Sequence, residues 1–457
     1  MTDASAVPAN RDLFGQPRGL WVLAGTELWD RISFHGMQAM LTLYMAGELL
    51  LPGRVEHVVG FARFRMIVES ITGPLSTEAL AAQTFGLYVG LIYFTPVFGG
   101  TIGDRWTGRR VAVTLGALLM TAGHFALAFD QSFLLALLLL ILGAGLLRGN
   151  LSAQIKSLYA EGDRREADAF QIYYLSISFG AFVAPLATGA LAAIYGWHTG
   201  FAFAGVGMLV GLLVYLAGHR HLPPDRRRIA AAPPAPLTRG ERKRVAGLLM
   251  LWPFAFCFWF AQSQVWNIYN LWVRDHVDLT VGRFTVPVPW LQSLDGLAPA
   301  VMAPLIIGWW RRQAARGREP DLFGKLAIGC MIFAGGVGLL ALSPALAGAS
   351  GRAPLAWPVL FHVMSNLGWL FYAPTMTALV AARAPATLRG TLIGVDTLSV
   401  FAASIASGRL GGLYETVSAS TFWLIHAAVV GGAGVGLMLA APAFRRWFGG
   451  DGVTECA

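Results

Sequence analysis

Charge is scarce in this chain, and cysteine and lysine are scarcer. Of its 457 residues only 13% are charged, while 56% are hydrophobic and the mean hydropathy is +0.58. A soluble domain carries about a quarter of its residues as charges, so this composition excludes one and describes a polytopic membrane protein. Cys257 and Cys330 lie in apolar stretches and Cys456 near the end, which supplies neither a disulfide framework nor a metal motif. Lysine is confined to Lys156, Lys243 and Lys325 against many arginines, the bias of a GC-rich bacterial genome.

Sequence patterns of whole function classes are missing as well. No phosphate-binding G-x-x-x-x-G-K-[ST] loop is present, so ATP is not the expected driver. Neither H-E-x-x-H nor G-x-S-x-G occurs, which argues against an intramembrane enzyme. GGAGVG at Gly431–Gly436 lies in an apolar span without a βαβ unit, so it is no dinucleotide fingerprint. The first 18 residues are polar and contain Pro8 and Pro17, and no signal peptide is expected. The net charge of +9 raises nucleic acid as a partner, but the basic residues are spread over short loops between apolar spans. That is the positive-inside pattern of a membrane protein.

What is present is a series of twelve apolar spans. They lie near 19–51, 84–103, 110–129, 132–158, 167–194, 198–218, 245–274, 287–310, 322–343, 355–382, 388–414 and 419–441. Residues 1–218 read as one six-helix bundle and 245–457 as a second. The basic Pro/Ala-rich linker 219–244 between them reads as a flexible cytoplasmic connector. Most Lys and Arg fall at the N-terminus, near 104–110, 159–166, 219–244, 311–320 and 383–389, and after Phe444. The opposite side holds Arg54, Arg63, Arg65, Arg274, Arg283 and Arg352. This asymmetry puts both termini, and Ala232 in the linker, in the cytoplasm. In the long loop from Pro52 to Gln83, the 61–70 stretch suits an interfacial helix.

The first span, ELWDRISFHGMQAMLTLYM, carries the most expensive residues. Glu27, Asp30, Arg31, Phe34 and Gln38 fall in one helical stripe. An ionisable group at a bilayer centre costs ~3 kcal/mol, and three unpaired and lipid-facing would cost roughly 8–10 kcal/mol. They must pair, face a water-filled interior, or both. Glu27 with Arg31 at i,i+4 makes a packing ion pair; two carboxylates beside an arginine also make a site that takes and releases a proton. His35, His124, His362 and His426 are further candidate proton carriers, with His35 beside the stripe and the others suited to hydrogen-bonded packing.

This stripe resembles the E-x-x-E-R-F-x-Y-Y-G-M-R-A helix of the proton-dependent oligopeptide transporter family, within the major facilitator superfamily. Glu27, Asp30, Arg31, Gly36, Met37 and Ala39 fit it, while Ile32, Phe34, His35 and Gln38 depart. GGTIGDRWTGRR resembles the superfamily's gating loop, through Gly100, Asp104, Arg105, Gly108, Arg109 and Arg110. Arg148 in GLLRGN stands where the family has a lysine that binds a substrate carboxylate or an acid of the opposite bundle. Phe170–Gly207 matches the longest pattern, with Ser178 for its asparagine. Tyr93 stands where the family places a cavity tyrosine, a position that also suits an interfacial or packing role.

The second half departs more. CFWFAQSQ has Ser263 for the family's glutamate, followed by Gln264, and the arginine that pairs with that acid is Gln38 here. Both partners are gone together, as the cost of one orphan buried charge requires. Trp369 replaces the glutamate that holds a peptide's amino group; Asp295 replaces an asparagine and Asp396 a pocket tryptophan. The bacterial family's two extra linker helices do not fit the short polar linker.

The resemblance implies an all-α major facilitator fold and a proton-coupled symporter of di- and tripeptides or peptide-like small molecules. Glu27, Asp30 and Arg31 carry the proton in that reading. Phe34, His35, Gln38, Tyr93, Arg148, Ser178, Gln264, Asp295, Trp369 and Asp396 meet the substrate. Asp396, then Asp295, is the acid expected to replace the lost glutamate and to balance Arg148, unless Asp396 merely bonds hydroxyls such as Ser399. The proton gradient replaces any cofactor, and no metal is expected. The partners are a small molecule and the lipid bilayer, with no nucleic acid; the chain is a monomer of the bacterial inner membrane. A proton-coupled exporter or importer of a non-peptide metabolite or drug is the alternative, with a non-transporting receptor as a third class.

Overall fold

The apolar runs fold as long helices because a backbone in lipid must satisfy its own hydrogen bonds. The computed structural model describes residues 12–160, 162–225, 236–347 and 351–448. Ala232 and Ala457 of the topology expectation lie outside the described residues. One group of helices comprises α1 (Arg18–Tyr44), α3 (Thr77–Phe94) continued by α4 (Pro96–Ile102), α5 (Arg109–Ala126), α6 (Phe133–Lys156), α7 (Arg165–Tyr195) and α8 (Trp197–Gly218). The other comprises α9 (Arg239–Gln264) continued by α10 (Ile268–His276), α11 (Leu294–Ala315), α12 (Leu322–Ala341), α13 (Ala356–Arg383), α14 (Arg389–Gly411) and α15 (Ala419–Phe448). A further amphipathic helix, α2 (Phe61–Thr72), lies in the long loop.

Among the described residues, nine helical segments are long and apolar enough to cross a membrane by themselves. α1, α5 and α13 are the rods outside that set. α1 carries Glu27, Asp30 and Arg31, α5 begins with Arg109 and Arg110, and α13 contains His362 and Asn366. Packing by their neighbours takes these polar groups away from lipid.

Helix ends follow local chemistry. The Ser76 side chain caps α3 through Ala79 N–H at 3.2 Å, so the second span begins at Thr77, ahead of its long apolar run. Thr238 and Glu241 form a reciprocal capping box that starts α9. Asp321 caps α12 through Gly324 N–H at 2.9 Å. The seventh span breaks between α9 and α10, where Asn267 leaves helical geometry at φ −110 and ψ −104.

In the first bundle α1 packs on α7 and α8, and α5 on α6 and α8; in the second α12 packs on α13 and α15, and α9 on α14 and α15. The bundles meet along α3 with α14 and along α7 with α11. Gly86 and Gly408 permit the first contact: a Cβ at Gly86 would lie 2.5 Å from the Ser404 carbonyl oxygen.

The hydrogen bonds and ion pairs that join the bundles gather toward the end that bears the 50–76 loop. Thr42 bonds Asn267 at 3.3 Å, Arg274 pairs with Glu78 at 2.8 Å, Ser76 bonds Glu415, and Arg409 donates to the Thr72 carbonyl at 2.5 Å. Among the described residues no hydrogen bond or ion pair joins the bundles at the opposite end. Arg409 also belongs to the basic residues of the 50–76 end, beyond those read from the loops.

The linker is ordered where it leaves α8. Residues 219–221 make a short turn, and Asp225 accepts from the Arg110 backbone N–H at 3.1 Å. Its first residues are therefore docked at the start of α5, while most of the Pro/Ala run lies outside the described residues.

Candidate functional site

The stripe on α1 faces α6 and α7, and there its charges find partners. Glu27 is buried; its Oε1 lies 2.6 Å from Arg31 and its Oε2 accepts from the Tyr173 hydroxyl of α7 at 2.5 Å. Asp30 Oδ2 lies 3.6 Å from Arg31 Nε and 3.3 Å from Arg148 Nε. The Arg148 guanidinium rests over the Phe34 ring at 4.0 Å, a cation–π contact. Two carboxylates and two guanidiniums thus share one pocket of low dielectric with no net charge. Asp30 Oδ1 and Arg148 Nη2 remain buried without a hydrogen-bond partner, so the cluster retains an acceptor and a donor for another state.

A cavity of about 310 Å³ opens beside this cluster, between the two bundles. That is the lower end of the ~300–1,000 Å³ typical of small-molecule sites. α1 contributes Arg31, His35 and Gln38, α3 Tyr93 and α7 Ser178. From the other bundle come Trp259, Gln262, Ser263, Trp266, Asp295, Asn366 and Trp369. Arg31 and Asp295 are the guanidinium and the carboxylate of this lining, and they stand on opposite bundles. Gln38 and Ser263, at the positions of the family's missing ion pair, both line the same cavity.

Asp295, in the first turn of α11, is held by α13. Its Oδ1 lies 2.8 Å from His362 Nδ1 and accepts from Asn366 Nδ2 at 2.8 Å. Its Oδ2 has no hydrogen-bond partner. His362 and Asn366 are one turn apart, so both reach the same carboxylate oxygen.

Four residues expected to meet the substrate do not line the cavity. Phe34 is buried beneath the Arg148 guanidinium. Arg148 is turned toward Asp30, which lies in its own bundle, and in this structure neither Asp396 nor Asp295 is its partner. Gln264 points into its bundle, donates to the Ser407 carbonyl at 2.9 Å and meets His426 Nε2 at 3.3 Å. Asp396 faces a narrow crevice among Leu248, Trp252, Met376 and Val380. Among the described residues no hydrogen bond or ion pair reaches its carboxylate. Ser399 donates to the Asp396 main-chain carbonyl at 2.6 Å, not to its side chain.

Tyr173, Trp259, Gln262, Trp266 and Asn366 join the cluster and the cavity beyond the residues expected there. Asn366 carried a signal, a polar residue one turn from His362 in an apolar span. Tyr173 carried none, since its partner is 146 residues away.

The loop after α4 is built on a close helix crossing. A Cβ on Gly99 would sit 2.0 Å from the Gly145 carbonyl oxygen, and one on Gly103 1.9 Å from Asn150 Oδ1. Asp104 pairs with Arg109 at 2.8 Å, Arg109 donates to the Ala153 carbonyl at 3.1 Å, and Arg110 bonds the Leu222 carbonyl. Gly108 turns the chain at φ +85, while Arg105 is exposed and Gly100 passes over Gly149. None of these residues touches the cavity.

The profile of the POT family matches residues 110–230 and 237–426. The peptide transporter YePEPT of Yersinia enterocolitica is 27% identical, over 90% of this chain and 91% of that protein. A di-/tripeptide transporter of Lactococcus lactis is 25% identical, over 94% and 95%. Among solved structures, a mutant of a peptide transporter POT in complex with alafosfalin superposes with a TM-score of 0.84 at 27% identity, covering 96% of this chain and 97% of that one. The architecture is the major facilitator fold.

Proposed function

The chain belongs to the POT family, a family of transporters and not of enzymes, and we propose that it is a proton-coupled symporter of di- and tripeptides or similar small molecules. The observation that carries this reading is the pair Arg31 and Asp295, which face one cavity from opposite bundles. A zwitterion with its carboxylate toward α1 and its ammonium toward α11 satisfies both. Bound this way it draws the bundles together, which alternating access requires.

The proton enters through Glu27. Ionised, Glu27 holds the Arg31 guanidinium at 2.6 Å. Protonated, it loses most of that attraction, and Arg31 turns to the substrate carboxylate. Tyr173 keeps the Glu27 side chain in place through its hydroxyl. Asp30 and Arg148 hold the adjoining charge balance. The driving force in this reading is the proton gradient across a bacterial inner membrane, with no cofactor.

With the basic loops and both termini on the cytoplasmic side, the inter-bundle contacts lie outside and the molecule faces inward. The basic loops, Asp104 and the arginines of the gating loop then sit at the open end. The chain works as a monomer in this scheme, since cavity and cluster are complete within it.

The three tryptophans of the cavity wall, Trp259, Trp266 and Trp369, favour a second reading, a flatter and more apolar metabolite or drug. One experiment separates the two. Full-length protein in proteoliposomes, under an imposed inward proton gradient, is given labelled dialanine. Accumulation that a protonophore collapses and other dipeptides compete for supports the symporter. Absence of both uptake and competition sinks the peptide reading.

A further inference from the structure

Asp295 is the acid that the zwitterion reading gives to the ligand ammonium, and its carboxylate is not free to turn. Oδ1 meets two donors, His362 Nδ1 and Asn366 Nδ2, each at 2.8 Å. A carboxylate oxygen has two lone pairs, so Oδ1 is filled. Oδ2 has no hydrogen-bond partner, and Asp295 lines the cavity. A carboxylate only accepts, so the imidazole hydrogen that matters sits on Nδ1.

Both donors are themselves held. The imidazole is fully buried and packs edge-on against Tyr269 at 5.1 Å and Phe361 at 5.4 Å. Its Nε2 has no hydrogen-bond partner, so the ring's polar contact runs through Nδ1. The Asn366 amide also donates to the His362 carbonyl at 2.8 Å, one turn back on α13. These contacts join α10, α11 and α13, all in the second bundle, so a rigid-body movement of one bundle against the other would leave them intact. A loose side chain loses rotamer freedom when it takes a ligand; one already fixed does not, and binding is tighter for it.

We propose that His362 is a positioning residue for amine recognition. With Asn366 it fixes Asp295 so that Oδ2 alone meets the ligand, and so it sets the preference for a free ammonium group over a blocked one. It takes up and releases no proton in this role, so the coupling stays with Glu27. This deepens the zwitterion reading above and rests on it.

Calorimetry on the full-length protein in lipid nanodiscs tests this, with dialanine and N-acetyl-dialanine as ligands. The parent should bind dialanine more tightly. His362→Phe keeps a buried ring and removes the donor. It should weaken dialanine about two- to tenfold, while N-acetyl-dialanine stays within about twofold. His362→Asn places an amide nitrogen where Nδ1 stands along the side chain, and it should restore the parent's preference. Asn366→Leu removes the other donor and should repeat the loss of His362→Phe, so the test does not depend on one variant folding. A histidine that only supports the packing would weaken both peptides alike. Equal weakening of both, an unaltered preference in His362→Phe, or the same loss in His362→Asn overturns the proposal. A parent that binds the two peptides equally, or binds neither, rejects the zwitterion reading itself and the positioning role with it.

Discussion

Arg148 meets its counter-charge inside its own bundle: its Nε lies 3.3 Å from Asp30 Oδ2, across 118 residues of chain. The arginine lies in the apolar middle of α6 and is only 11% exposed. A charge so placed must be matched in every state the molecule visits. A partner in the opposite bundle would come and go with each opening of the cavity. Asp30 belongs to the same bundle as Arg148, so a rigid-body movement of one bundle against the other would leave the pair intact.

This pairing has a measurable consequence. Asp30→Asn leaves a buried guanidinium without its carboxylate and should destabilise the protein by about 3–5 kcal/mol. Arg148→Gln should cost a similar amount. The double variant should recover much of the loss, because the two residues act as one unit. Thermal unfolding in detergent reads this, and simple additivity of the two losses would refute the pair.

Glu27→Gln separates coupling from binding. It should abolish accumulation driven by a proton gradient while counterflow of labelled dialanine, which needs no net proton movement, persists. Loss of both together would mean that the Glu27–Arg31 pair is structural.

The two acids of the second bundle should behave differently. Asp295→Asn removes a charge-assisted contact worth about 1.5–3 kcal/mol, so dialanine affinity should fall roughly tenfold to a hundredfold. Asp396→Asn, outside the cavity, should leave that affinity within about twofold. The reverse order of effects would put the amine at Asp396 and overturn the assignment.

The helix crossing under the gating loop offers a contrast between neighbours. Gly99→Ala drives a methyl into the Gly145 carbonyl and should lower stability by about 1–3 kcal/mol. Gly100→Ala meets the Gly149 carbonyl oxygen at 3.3 Å and should cost less. Melting temperatures of the two variants give the answer, and equal losses would count against the crossing.

The long apolar helices, the stripe on α1 and the helix in the long loop were legible in the sequence for one reason. Lipid cannot hydrogen-bond a backbone or solvate a charge, so length of apolar run and rarity of charge carry the fold. Phe61–Thr72 is helical where the 61–70 stretch suited one. Glu27 and Arg31, one turn apart, were bound to meet on any helix.

Which acid faces the cavity was not legible. α11 and α14 show little asymmetry between an apolar and a polar side, so no hydrophobic face of their own says which side turns inward. Asp295 and Asp396 look alike along the chain. His362 and Asn366 on α13 turn one toward the cavity wall, and the packing of α9 and α13 shuts the other into a crevice. The same holds for Arg148, whose partner lies three spans earlier, and for Tyr173, which reaches Glu27 across 146 residues. The sequence by itself determined that costly charges sit in the membrane and must be matched. Only the packing of distant helices decided which residue matches which, because that choice depends on contacts no local pattern encodes.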